Sequence, residues 1–122
     1  LGVDVIDCSS GAIAAAGINT LPTPTPGYQV SFSAAIRSKA EILTQSVGLI
    51  TNAAQAETIL RAGQADLIAL AREALYNPFW PLHAAQELKA DDNFNLWPHQ
   101  YGHWLGLREQ GVFARRPGEI NN

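Results

Sequence analysis

The chain has 122 residues, of which 47% are hydrophobic and 16% are charged, and its formal net charge is −3. This composition is typical of globular material and excludes a disordered tail, while the negative balance gives no electrostatic support for nucleic-acid binding. The single Cys excludes a disulfide framework and indicates a reducing, cytoplasmic setting. No apolar run reaches the roughly 20 residues of a membrane-spanning helix.

The first predicted strand covers Val3 to Asp7, because this run is short, apolar and β-branched and ends in the small residues 8–11. A long connection follows, centred on residues 21–27, where alternating prolines favour extended backbone and exclude helix. The same Pro/Thr alternation is also typical of a domain linker. A helix is then predicted over Ser33 to Leu43, since its apolar residues recur at helical spacing.

The middle of the chain predicts a second strand and a second helix. Val47 to Thr51 is another short apolar run and is predicted as the strand. Asn52 is placed to cap the helix that follows. Gly63 is placed to end that helix, because a helix C-terminus favours a residue that tolerates left-handed backbone.

A third strand and a last helix complete the alternation. Asp66 to Leu70 is predicted as the strand. The pair Asn77-Pro78 predicts a helix start, because Pro fits the first turn without losing a needed donor. The predicted inner face of this helix consists of Leu82, Ala85 and Leu88.

Strands that alternate with helices and are apolar nearly throughout predict an α/β fold with a parallel sheet. A doubly wound sheet and a piece of a (β/α)₈ barrel both satisfy this pattern. The first strand is not followed by a Gly-x-Gly-x-x-Gly motif, which weakens the dinucleotide-binding alternative and favours the barrel.

Two strand ends carry residues suited to a phosphate. Gly48 allows close approach of backbone to a ligand, and the N–H groups around Leu49 and Ile50 are candidate donors. Arg72 stands at the start of a short helical turn after the third strand, where backbone donors and a guanidinium fork suit a dianion. The alternative is that Arg72 pairs with Glu73 or another surface acid.

The ordered motifs of the chain resemble the old yellow enzyme family, in particular its bacterial NADPH dehydrogenase and xenobiotic reductase branch. The likeness runs from Leu1 to about Leu107 and lies in the following segments: Ile6-Asp7-Cys8-Ser9-Ser10-Gly11, Pro26-Gly27-Tyr28-Gln29-Val30-Ser31-Phe32, Val47-Gly48-Leu49-Ile50-Thr51, the run from Gly63 to Leu75, and Asn77-Pro78-Phe79-Trp80. Each motif is weak alone, but their combination in this order is specific.

This resemblance implies the C-terminal part, about three β/α units, of a (β/α)₈ TIM barrel. Residues 1–96 are expected to form those units, and residues 97–122 a C-terminal extension. A barrel of this kind takes about 250 residues, so the ring is expected to close only with a remaining N-terminal part. The lack of an initiator Met and the start inside an apolar run agree with that expectation.

The resemblance also implies FMN and NADPH as cofactors and places the FMN phosphate. Arg72 matches the family's phosphate-binding Arg, and Ala71 stands where the family has Gly. That Cβ is tolerable only if the backbone needs no positive φ. Gly48 and Leu49 match a loop whose amides hold the same phosphate, and Ser9 matches a strand end beside the flavin.

The segment Trp97-Pro98-His99-Gln100-Tyr101-Gly102-His103-Trp104 resembles one that reaches a neighbouring subunit's active site in this branch. Tyr101 or Trp104 is therefore expected to line that substrate pocket in a homo-oligomer. The alternative is that these aromatic residues only pack. Where relatives can carry an Arg, this sequence has His103 and Trp104, so no arginine finger is predicted. A metal site is not predicted either, because His99 and His103 have no evident third ligand.

The implied reaction is that of an ene-reductase, in which NADPH reduces FMN and hydride then passes to an α,β-unsaturated carbonyl compound. The family's carbonyl-binding pair and its Tyr acid come from earlier strands, so no catalytic residue is assigned within this chain. Two alternatives are another FMN-dependent barrel, resembling dienoyl-CoA reductase or dihydroorotate dehydrogenase, and a fragment that packs without binding anything.

Overall fold

In the computed structural model of the chain, residues 2–10 and 24–111 are described. The elements are, in chain order, β1 (Val5–Cys8), α1 (Val30–Ala40), β2 (Leu43–Ser46), α2 (Ala53–Arg61), β3 (Leu67–Ile68), α3 (Arg72–Tyr76), α4 (Trp80–Glu87) and α5 (His99–Glu109). Residues 21–23 of the predicted Pro/Thr connection and residues 112–122 of the predicted extension lie outside the described residues.

The three strands form one parallel sheet in the order β1-β2-β3, which confirms the predicted α/β fold with parallel strands. Val5 pairs with Leu43 in register, and Gln45 pairs with Leu67. Helix α1 packs against β1 and β2. The sheet buries one set of alternating side chains, namely Cys8, Thr44 and Ser46, whereas Val5, Leu43 and Leu67 are exposed. Closure of the sheet into a barrel stays a prediction.

The prediction of the second strand over residues 47–51 is wrong, because β2 is the preceding segment and residues 47–51 form the loop after it. Helix α1 ends at Ala40, where Glu41 takes a left-handed φ of 52° and donates its N–H to Arg37 O. Leu43, predicted as the last apolar position of the helix, therefore begins the strand. Thr44 and Ser46 are fully buried although they are polar, so a search for apolar runs does not detect β2.

Both predicted ends of α2 are confirmed. The Asn52 side chain accepts from the Gln55 N–H at 3.0 Å, which caps the first turn. At the other end Gly63 has φ 65° and donates to Leu60 O, while Gln64 N–H donates to Ile59 O. These two bonds form a Schellman motif, which satisfies carbonyls that the helix end leaves without partners.

The predicted helix start at Asn77-Pro78 is wrong. The Asn77 N–H donates to Glu73 O at 2.8 Å, so Asn77 ends α3 instead, and α4 begins at Trp80. Pro81 lies in the first turn of α4, where a backbone N–H has no partner within the helix and its absence costs nothing. The buried residue of this helix is Ala84, whereas Leu88 of the predicted inner face is exposed.

The chain divides into two compact units, residues 1–78 and 79–122. The sheet with α1 to α3 lies in the first unit. In the second unit Trp97 is buried, and its ring lies 5.4 Å from that of Phe79 and 5.2 Å from that of His83. Trp97 therefore packs within this unit. The division into residues 1–96 and 97–122 stays a prediction.

Within residues 2–10 and 24–111, none of the helices has the length and apolar character that crossing a membrane requires.

Candidate functional site

A cavity of about 460 Å³ lies at the carboxyl ends of β2 and β3, within the first unit. In a parallel α/β sheet this is the edge where ligands bind, because loops of separate strands meet there. The cavity brings together four of the five residues predicted to bind the cofactor. The main residues that line it are Tyr28, Gln29, Gly48, Leu49, Ala71 and Arg72.

The loop after β2 has an unusual backbone. Gly48 has φ 123° and Leu49 has φ 52°, a left-handed value that is uncommon for a residue with a side chain. Gly48 O accepts from Gly27 N–H at 2.7 Å, which holds the loop in place. The Gly48 and Leu49 N–H groups donate to no acceptor among the described residues. Strain of this kind is typical of a ligand-binding loop, because the surrounding structure must hold it.

Arg72 begins α3 and is exposed. In the described part of the chain the ion pairs are those of Arg37 with Asp66 and of Arg61 with Glu57. Arg72 thus makes no ion pair there, and the alternative pairing with a surface acid is not seen among those residues. Its guanidinium is available to an anion from the cavity.

Ala71 has φ −113°. Ala is therefore tolerated where the family has Gly, because the backbone at this position has no positive φ.

Ser9 lies one residue beyond β1, is exposed, and is not among the residues that line the cavity. Its neighbour Ser10 donates its N–H to the side-chain oxygen of Gln29 at 2.6 Å. Sequence reasoning did not single out Gln29, which is 4% exposed. The signal for it was present, since Gln29 belongs to one of the motifs that carry the family resemblance.

Tyr101 and Trp104 lie on α5 in the second unit and are exposed. The Tyr101 ring packs edge-on against Phe79 at 6.0 Å, and the Trp104 ring lies 5.4 Å from that of His103. Their role in a neighbouring subunit's pocket stays a prediction. Among the described residues, no group of three His, Cys, Asp or Glu side chains is arranged to hold a metal ion.

Asp66 holds the start of β3 against its neighbours. Its carboxylate accepts from Thr44 N–H at 2.9 Å and from Arg37 Nε at 3.0 Å. The Thr44 N–H, together with the hydrogen bond and charge of Arg37, lowers the pKa of Asp66 despite partial desolvation. Elsewhere, burial and then the charge of Asp7 raise the pKa of the Cys8 thiol. Cys8 is thus a packing residue rather than a nucleophile.

We expect the stability of the protein to fall in acid through Asp66. Because its pKa is lower in the folded than in the unfolded state, the stabilisation is complete above the unfolded value of about 4. It is lost as the pH falls through the folded pKa. The substitution Asp66→Asn should lower the melting temperature at neutral pH and flatten its decline below about pH 4. Glu57→Gln, which removes an exposed pair on α2, is the control and should keep that decline. An equally steep decline in Asp66→Asn contradicts this assignment.

Comparison with known proteins matches residues 1–91 to the family described as NADH:flavin oxidoreductase / NADH oxidase. The chain is 58% identical over 87 residues to an NADPH dehydrogenase of Geobacillus sp. (strain WCH70), covering 71% of this chain and 24% of that protein. It is 45% identical over 122 residues to an NADPH dehydrogenase of Bacillus cytotoxicus, covering 99% of this chain and 30% of that protein.

An NADPH dehydrogenase of Bacillus subtilis is 50% identical over 90 residues, which are 74% of this chain and 25% of that protein. The matched part of the chain thus spans 24% to 30% of the length of these relatives. The family and the names of these relatives support the predicted cofactors, FMN and NADPH. The chain belongs to the NADH:flavin oxidoreductase / NADH oxidase family, which confirms its resemblance to the old yellow enzymes.

Proposed function

We propose that this chain is the C-terminal part of a (β/α)₈ barrel that binds the phosphate of FMN. The complete enzyme uses NADPH to reduce activated C=C bonds of α,β-unsaturated carbonyl compounds in the cytoplasm. The observation that carries the proposal is one cavity that joins Arg72 to the strained loop of Gly48 and Leu49.

The chemistry of the donors fits a phosphate. Two backbone N–H groups, those of Gly48 and Leu49, have no acceptor among the described residues, and Arg72 adds a positive charge with a planar fork of donors. A phosphate monoester carries two negative charges and three terminal oxygens, so it can accept from all of these groups. Ala71 carries its Cβ without backbone strain, because its backbone is not left-handed.

One face of the sheet is exposed and apolar, which supports the proposal that the remaining part of the barrel covers it. Val5, Leu43 and Leu67 expose 38%, 52% and 47% of their surface on that face. Between them Gln45 donates to Asp7 at 3.1 Å, so the face is apolar with one paired polar site. Side chains that point inward from parallel strands fill the interior of such a barrel, which covers a face of this kind.

FMN held at this site would supply hydride transfer between NADPH and the substrate alkene. The residues of this chain bind and orient: Arg72 and the loop amides fix the phosphate end. We propose no residue of this chain as the proton donor to the substrate, and this includes Tyr28 and Tyr101. Residues 97–122 are proposed to extend to a neighbouring subunit, with the exposure of Tyr101 and Trp104 as support.

The test uses the assembled protein, meaning this chain joined to the N-terminal part of the barrel. A fusion in which the chain replaces the aligned segment of the Bacillus cytotoxicus relative supplies it, because that alignment covers 99% of the chain. We expect the purified fusion to show a flavin absorption band, which NADPH bleaches and an α,β-unsaturated ketone restores. The relative without this segment is the control and should hold no flavin.

A folded fusion without flavin contradicts the proposal and favours the non-catalytic fragment.

A further inference from the structure

Gln29 is a buried polar residue on the wall of the cavity, and the proposed function gives it no role. It is 4% exposed and stands directly before α1, whose first turn bonds to its carbonyl. Its side-chain Oε1 accepts the Ser10 N–H at 2.6 Å, across 19 residues of sequence. The residue therefore ties the end of β1 to the cavity at the ends of β2 and β3.

The orientation of this amide follows from chemistry. A backbone N–H can be accepted only by the amide oxygen, so Oε1 faces Ser10 and Nε2 points elsewhere. Nε2 lies 3.3 Å from the position that a Cβ on Gly48 would take. It is therefore beside the loop whose amides have no acceptor.

Nε2 of Gln29 donates to no acceptor among the described residues. In that part of the chain, the side-chain atoms sealed from solvent without a partner belong to Thr44, Ser46, Gln86 and Trp97. Gln29 is not one of them, so its nitrogen opens to the cavity that the residue lines. An unpaired donor that faces the cavity beside the loop amides is available to an acceptor on a bound ligand.

We propose that Nε2 of Gln29 donates to a phosphate oxygen of the bound ligand, so that Gln29 adds a side-chain donor to the amides of Gly48 and Leu49. This inference rests on the proposed function, because it takes the phosphate monoester end of FMN as the occupant. The same side chain holds Ser10, so it couples the loop after β1 to the position of the phosphate.

The substitution Gln29→Glu separates the two roles of the side chain. Glutamate keeps an oxygen for the Ser10 N–H but replaces the cavity-facing donor by a negatively charged oxygen. In the assembled apoprotein, titrated with FMN and with riboflavin by flavin fluorescence, we expect FMN to bind about tenfold more weakly. Riboflavin, which has the ribityl chain without the phosphate, should bind as it does to the unaltered protein.

The control is Gln55→Glu, the same chemical change at a half-buried Gln of the same unit that lines a different groove. It should leave the affinities for both flavins unchanged. If Gln29→Glu does not fold, Gln29→Met is the second variant. It adds no charge but removes both the donor and the acceptor of the Ser10 N–H, so a larger loss of affinity for FMN than for riboflavin supports the donor role.

An equal loss for both flavins, or no loss, overturns the inference. Failure of the unaltered protein to bind FMN overturns the proposed function and this inference with it. Normal FMN binding by both the unaltered protein and Gln29→Glu overturns the inference only.

Discussion

Replacing Arg72 by Ala is expected to weaken FMN binding to the assembled protein about a hundredfold while leaving riboflavin affinity unchanged. The reason is that a guanidinium can donate two parallel bonds to a phosphate dianion, and charge-assisted bonds of this kind are about twice as strong as neutral ones. Arg72 has no ion pair among the described residues. Its removal therefore breaks no ion pair there, and the loss of affinity reports on the contact with the phosphate. The measurement is the ratio of the two flavin affinities, which isolates the phosphate.

Two further variants sharpen this experiment. Arg72→Lys keeps the charge but loses the planar fork, so its loss of FMN affinity should lie between those of the Ala variant and the unaltered protein. Arg61→Ala removes another exposed Arg, whose ion pair is within α2 and away from the cavity, and should change neither affinity. An Arg72→Ala protein that loses both flavins equally, or neither, removes Arg72 from the phosphate site.

Replacing Gly48 by Ala is expected to destabilise the assembled protein by about 2–4 kcal/mol and to release its flavin. A Cβ at this position would lie 2.9 Å from Cε1 of Tyr28, and the φ of 123° is one that residues with side chains rarely adopt. Relief requires movement of the Tyr28 ring or of the loop, and either one displaces the amides beside the cavity. The measurement is the free energy of unfolding together with the flavin content.

The matched control is Gly106→Ala. Gly106 lies inside α5, and a Cβ there would meet nothing within 4 Å. Because Ala has the higher helix propensity, this variant should be unchanged or more stable by up to about 1 kcal/mol. Equal stability of Gly48→Ala and the unaltered protein would mean that the loop relaxes freely and is not the rigid support described above.

Local chemistry was enough to predict the ends of α2. Asn52 accepts from an N–H three residues away, and Gly63 ends the helix through its own backbone. Residues close in sequence therefore determine both ends of the helix. The strand β2 escaped prediction because its buried positions are Thr44 and Ser46, whose polar side chains hide the hydrophobic period. Its burial comes from α1 and the flanking strands, which no short window contains.

The candidate site shows the same division between local and distant information. Gly48 and Arg72 were found because they follow strands and match family motifs, and the cavity joins them. Gln29 was missed because its hydrogen-bond partner, Ser10, is 19 residues away. The Pro/Thr connection separates the two residues, so their proximity is a property of the folded sheet alone.

The position of β2 within the sheet affects how much conformational freedom the loop after it loses when a ligand binds. β2 is paired on both sides, whereas β1 and β3 each have a single partner among the described strands. The loop of Gly48 and Leu49 therefore follows the strand that this chain itself holds from both sides. Its donors are fixed in direction before any anion arrives. Less conformational freedom is then lost when the anion binds, and more of the interaction energy remains as affinity.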